Sequence, residues 1–171
     1  MPVVMPAHLA TLGKAKSPDD FKELTWKILG PTLKKYKVCG TDVLFVTYIE
    51  PERTGGGIYK PDTSQQEILF QGNVGLVVGM GPLAFKYDSR GFAWEGDAAK
   101  INDWIVVRFA DCWEIHIDGV SCRFVDPENI RGIIETPEII THRPVGSALG
   151  SMMAKHLRST ALQSAFGDAN G

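Results

Sequence analysis

The chain has 171 residues, of which 44% are hydrophobic, 22% charged and 9% aromatic, enough apolar mass for one ordinary core and too much for a disordered chain. Eighteen Lys and Arg against twenty Asp and Glu leave a net charge of −2, without the basic surplus of a nucleic-acid binder. Eighteen Gly and ten Pro argue against long helices and for many short strands joined by turns.

Three regions separate by pattern. Residues 1–40 read as an N-terminal helical extension: Ser17-Pro18-Asp19-Asp20 is a helix start, with a hydroxyl cap, proline at the first position and acids facing the dipole. Phe21, Leu24, Thr25, Ile28 and Leu29 follow at helical spacing, and Gly30-Pro31 is expected to end the helix. Residues 41–140 are β-patterned. Strands are expected at 42–49, 73–78, 105–109, 113–117, 120–125 and 130–134, with an irregular segment between the second and third. Asp118-Gly119 is the strongest hairpin signal, and Asp126-Pro127-Glu128-Asn129 is a turn. Residues 141–171 read as a C-terminal helix, with Leu149, Met152, Met153, His156 and Leu157 on one side, fading into a polar tail.

Cys39, Cys112 and Cys122 do not make an even disulfide framework, so reduced thiols are expected. The first twelve residues lack the basic stretch and apolar core of a signal peptide. No apolar run approaches the roughly 20 residues of a membrane span. The expectation is a cytoplasmic protein without a membrane role.

The residues offer little catalytic chemistry. Cys112, His116 and Cys122 have a C-x3-H-x5-C spacing, but no fourth soft ligand lies nearby and paired CxxC spacing is missing. They read as a strand face with a buried thiol, and no metal is expected. His8, His142 and His156 suggest no triad. Gly55-Gly56-Gly57 and Gly79-Met80-Gly81 lack the spacing and the following helix of a phosphate loop. Asp97, Asp103, Asp111 and Glu114 are no different from solvated loop acids. The chain is read as non-enzymatic and without a cofactor.

The 50–66 loop stands out. Pro51, three glycines and Pro61 surround one short apolar pair, Ile58-Tyr59. Glycine makes such a loop mobile, and the apolar pair gives it something to bury on a partner. The alternative is a wide hairpin connection whose Ile58 tucks back onto its own strands.

The order of these features resembles the GroES co-chaperonin family. A strand at Val43–Ile49 leads into Gly56-Gly57-Ile58-Tyr59-Lys60-Pro61-Asp62, similar to that family's mobile loop. Gly72 to Gly81 resembles its G-x-V-x-x-V-G-x-G strand. Asn102-Asp103 stands where the family usually has Gly-Asp, and Ile117-Asp118-Gly119-Val120 and Asp126-Pro127-Glu128-Asn129-Ile130 complete the order. The resemblance implies a mainly all-β, partly open GroES-like β-barrel, with helices appended at both ends, that forms a homo-oligomer, a ring in that family. It further implies that Gly56, Gly57, Ile58, Tyr59 and Lys60 dock on a chaperonin ring, and that the partner rather than this chain hydrolyses ATP.

Two departures shape the expected partner. The loop ends in Ile58-Tyr59-Lys60 where the family has three apolar residues, although a lysine can bury its stem and keep its ammonium in water. The segment at the family's roof hairpin, 81–100, carries Phe85, Tyr87, Phe92 and Trp94, candidate interface aromatics. With the two extensions, these features look more like the divergent GroES-like proteins of tailed bacteriophages, acting in the host cytoplasm on a phage capsid protein. The rival expectation is a virion structural protein, a capsid decoration or cement subunit on the same barrel. Neither reading invokes nucleic acid.

Overall fold

The computed structural model describes residues 11–49 and 73–140. Helix α1 (Pro18–Leu33) begins where the Ser17 hydroxyl accepts the Asp20 backbone N–H at 3.1 Å and the Asp20 carboxylate accepts the Lys16 N–H at 2.8 Å. It does not end at Gly30-Pro31 but runs on to Leu33. Pro31 forfeits only one intrahelical bond, and Gly30 before it has no Cβ to meet the proline ring. The last turn then closes from the Lys34 N–H to the Gly30 carbonyl at 3.3 Å.

Six strands follow: β1 (Val43–Thr47), β2 (Val74–Met80), β3 (Trp104–Val107), β4 (Cys112–Ile117), β5 (Val120–Val125) and β6 (Ile130–Ile134). They form one antiparallel sheet in the order β4-β5-β1-β2-β3-β6, with β4 and β6 outermost and the sheet not closed between them. The expected all-β character is borne out, with one α-helix among the described residues. The expected helix at 147–157 lies outside them.

Local chemistry sets the connections. Asp118 and Gly119 take φ of +50° and +76°, the left-handed pair of a two-residue hairpin, and Ile117 pairs with Val120 across them. Asp126 accepts the Glu128 N–H at 2.9 Å and starts the turn Pro127–Asn129. β3 stops at Val107 rather than at Phe109, because Phe109–Asp111 forms a short 3-10 turn. That turn puts the Phe109 ring under the Arg123 guanidinium, 3.8 Å from the ring centroid.

Both faces of the sheet are covered at β1, so all five of its residues are buried, and Val43–Val46 run as four apolar residues before the buried Thr47. On one face Val43, Phe45, Val77, Ala99, Ile105, Val107 and Val125 form a core, with Met80, Ala84, Phe85, Cys112 and Ile130 packed against it. On the other, Phe21 of α1 meets Tyr48 edge-on, with ring centroids 5.2 Å apart, and lies 5.9 Å from Trp104. Burying a side chain of that size contributes about 2 kcal/mol. Two polar contacts fasten α1 over this face: the Trp26 indole N–H donates to Asn102, and the Thr32 hydroxyl donates to Asp118.

Candidate functional site

The loop residues Gly56, Gly57, Ile58, Tyr59 and Lys60 lie outside the described residues, but the stem that carries them does not. β1 and β2 are adjacent strands in the middle of the sheet. Thr47 pairs with Gly75, and the Tyr48 N–H donates to the Val74 carbonyl at 2.9 Å. The chain therefore leaves for and returns from residues 50–72 through two strands flanked on both sides by others.

The 81–100 segment, read as irregular from its sequence, is a small hairpin. Tyr87 bridges to Ala93, the Asp88 N–H donates to the Phe92 carbonyl at 2.8 Å, and the Trp94 N–H donates to the Lys86 carbonyl at 3.0 Å. Its tip is organised by one carboxylate. Asp88 accepts the backbone N–H groups of Arg90 (3.0 Å) and Phe92 (2.8 Å) and the Arg90 guanidinium (2.7 Å). The Arg90 guanidinium first, with the two N–H groups, holds the Asp88 carboxyl below its ordinary range against a smaller opposing effect of desolvation. The Ser89 N–H ties the tip to Glu128 at 2.9 Å.

The four aromatics of this hairpin divide into two pairs. Phe85 and Trp94 meet edge-on at 5.1 Å near its base, and Phe85 also reaches the core. Tyr87 and Phe92 stand outward, 56% and 65% exposed, with Arg90 over the Phe92 ring. The signal that announces this hairpin is Asp88-Ser89-Arg90-Gly91, a turn whose glycine sits at φ +85°.

The Cys and His residues do not converge. Glu114 pairs with Arg123, His116 with Ser121, and Ile115 with Cys122. Strand alternation therefore puts Cys122 on the opposite face from Cys112 and His116. Among the described residues no group of three or more Cys, His, Asp or Glu is placed to hold a metal ion. The Ser121 hydroxyl donates to Glu114, and His116 Nε2 lies 3.7 Å from the same carboxylate. Serine and histidine thus both turn to the same acid.

Arg123, which sequence reading passed over, is 2% exposed, and burial lowers its pKa while Glu114 opposes that effect. The outer strands carry apolar side chains in the open. Trp113 on β4 stacks on Phe124 at 4.5 Å yet is 59% exposed, and Ile133 is exposed on β6. The alternation Trp113-x-Ile115-x-Ile117 already marked an apolar row on β4.

Compared with known proteins, the chain matches no protein-family model and no curated protein sequence. Among the described residues no helix is long and apolar enough to cross a membrane.

Proposed function

We propose that this chain is a divergent, phage-type GroES-like co-chaperonin on a partly open β-barrel, which caps a chaperonin ring through the loop around Ile58 and assists folding of a phage capsid protein. The observation that carries this reading is the placement of the loop: residues 50–72 spring from the two paired central strands β1 and β2, and the 81–100 hairpin follows directly on β2. Two details support the family resemblance. Asn102 adopts φ +77°, a conformation that favours glycine, at the position where the family usually has Gly. The Gly72–Gly81 stretch also holds one residue more than the G-x-V-x-x-V-G-x-G pattern. A register shift opposite Val78, between Leu44 and Phe45, takes it up as a bulge.

In this reading the sheet is a rigid holder. The loop orders on binding, so each contact is weak, and a ring of loops supplies the avidity. Ile58 and Tyr59 bury apolar surface on the partner, while Lys60 lays its stem along it and keeps its charge in water. The exposed outer strands β4 and β6 offer edges for pairing between copies in a homo-oligomeric ring. A chaperonin pull-down with nucleotide tests the reading. Wild type is retained, Ile58→Asp is lost, and no retention of wild type ends the idea. Native mass spectrometry reads the ring.

The exposed Tyr87, Phe92 and Trp113 favour a second reading, a capsid decoration or cement subunit. Mass spectrometry of purified particles separates the two: high copy number in virions supports this second reading, and absence removes it.

A further inference from the structure

We propose that the groove between the end of α1 and the end of β2 is a docking site for a short apolar peptide segment flanked by Asp or Glu. The groove encloses about 720 Å³, and its floor and walls include Leu33, Tyr36, Val38, Met80, Pro82 and Ile101. Tyr36 and Ile101 remain 37% and 45% exposed, so apolar surface is open to a partner.

The wall of the groove is built rather than incidental. The Gly81 N–H donates to the Asp42 carbonyl at 2.8 Å, and the Leu83 N–H donates to the Gly40 carbonyl at 3.0 Å. Two glycines permit this approach: a Cβ on Gly81 would meet the Gly40 carbonyl oxygen at 2.2 Å, and one on Gly79 would meet Val38 at 2.9 Å. An occupant therefore meets a preformed surface and loses little to ordering it.

Charge selects the occupant. Lys34, Lys35 and Lys37 follow α1 directly and are exposed. The ion pairs among the described residues involve none of them. The negative end of the helix dipole offsets at most about half a charge. Lys37 lines the groove itself, and Lys34 and Lys35 adjoin it in the chain, a positive margin that rewards a segment carrying carboxylates next to its apolar side chains. A flat polyanionic surface would meet the lysines without filling the groove. This proposal is independent of the loop around Ile58.

The test is fluorescence anisotropy on the full chain with two labelled peptides, Asp-Glu-Leu-Phe-Leu-Asp-Glu and its counterpart with lysine at the four acidic positions. The acidic peptide binds at least tenfold tighter, and its binding weakens several-fold between 50 and 300 mM salt, as screening requires (a Debye length of about 10 Å at 0.1 M). Ile101→Asp weakens it at least tenfold, and so does the double change Lys35→Glu and Lys37→Glu, which touches only exposed side chains. Ile58→Asp binds like wild type. Equal binding of the two peptides, no binding, or indifference to the charge reversal overturns the proposal. Loss of binding in Ile58→Asp places the peptide on the loop and overturns it too. A wild-type dimer that Ile101→Asp dissociates, with no peptide bound, assigns the groove to a second copy and likewise overturns it.

Discussion

The Phe45 ring occupies the space a side chain at Gly75 on the neighbouring strand would need: a Cβ there would sit 2.1 Å from Cδ2 of that ring and within 3 Å of two more of its atoms. Phe45 is fully buried in the core, so the ring has nowhere to swing. Gly75→Ala is expected to destabilise the fold by about 1–3 kcal/mol, the range for overpacking a filled core. Urea unfolding checks this, with a lower midpoint at unchanged slope. An unchanged midpoint would mean that the ring is not held there.

Phe21 decides whether α1 belongs to the fold. Its ring fills the space between Tyr48 and Trp104, which themselves meet edge-on at 5.1 Å. Phe21→Ala removes both contacts and leaves a cavity, at an expected cost of about 3–5 kcal/mol. A loss well under 1 kcal/mol in the same urea experiment would show that the helix contributes little to the sheet.

How far these features were legible in the sequence follows from how local their causes are. Ser17-Pro18 and Asp118-Gly119 act within one turn, so a helix start and a hairpin could be read directly. β1 was readable because its buried residues Val43–Val46 form a continuous apolar run. Pro31 misled, because a proline costs little in a last turn when glycine precedes it. Phe109 left its strand for a distant partner, Arg123, which no local pattern records. The parting of Cys122 from Cys112 and His116 was available all along. A two-residue turn at Asp118-Gly119 forces Ile115 opposite Cys122, hence onto the other face. The groove was not available, since Leu33, Val38, Met80 and Ile101 come from separate segments that only the fold brings together.

The three thiols should separate by reactivity. Cys39 is exposed, whereas burial pushes Cys112 up to about 11 and Cys122 up to about 12. Asp111 adds to the shift at Cys112 while Arg123 opposes it, and Glu114 adds to the shift at Cys122. At pH 8 the thiolate fractions of the two inner cysteines are on the order of one in a thousand and one in ten thousand. A thiol-reactive chromophore is therefore expected to modify one cysteine rapidly in the native protein and all three in denaturant. More than one fast native thiol would contradict the burial of Cys112 and Cys122.

The same shifts give an alkaline limit. The folded state keeps thiol protons that the unfolded chain loses near pH 8.5, so stability falls as pH rises from about 9. Cys122→Ala should flatten that fall in the melting temperature while lowering stability at pH 7. An unaltered slope in the variant would remove Cys122 as its source.

The hairpin tip should respond to acid in the opposite sense. Asp88 is held below its ordinary range, chiefly by Arg90. The unfolded chain therefore binds the proton first, near pH 4, and the contribution of the ionised carboxylate is present above that value and lost as pH falls through the folded one. Protonation leaves the Arg90 guanidinium without its anion and weakens the acceptor of the Phe92 N–H. Tyr87 and Phe92 then lose the turn that aims them outward. Amide exchange at Phe92, corrected for the intrinsic pH dependence, is expected to keep its protection from pH 6 down to about 4 and to lose it below that. Asp88→Asn should bring the same loss at pH 6, because its amide can replace an acceptor but not a charge. Equal protection in the variant and the wild type at pH 6 would mean that the turn is held by its backbone bonds alone.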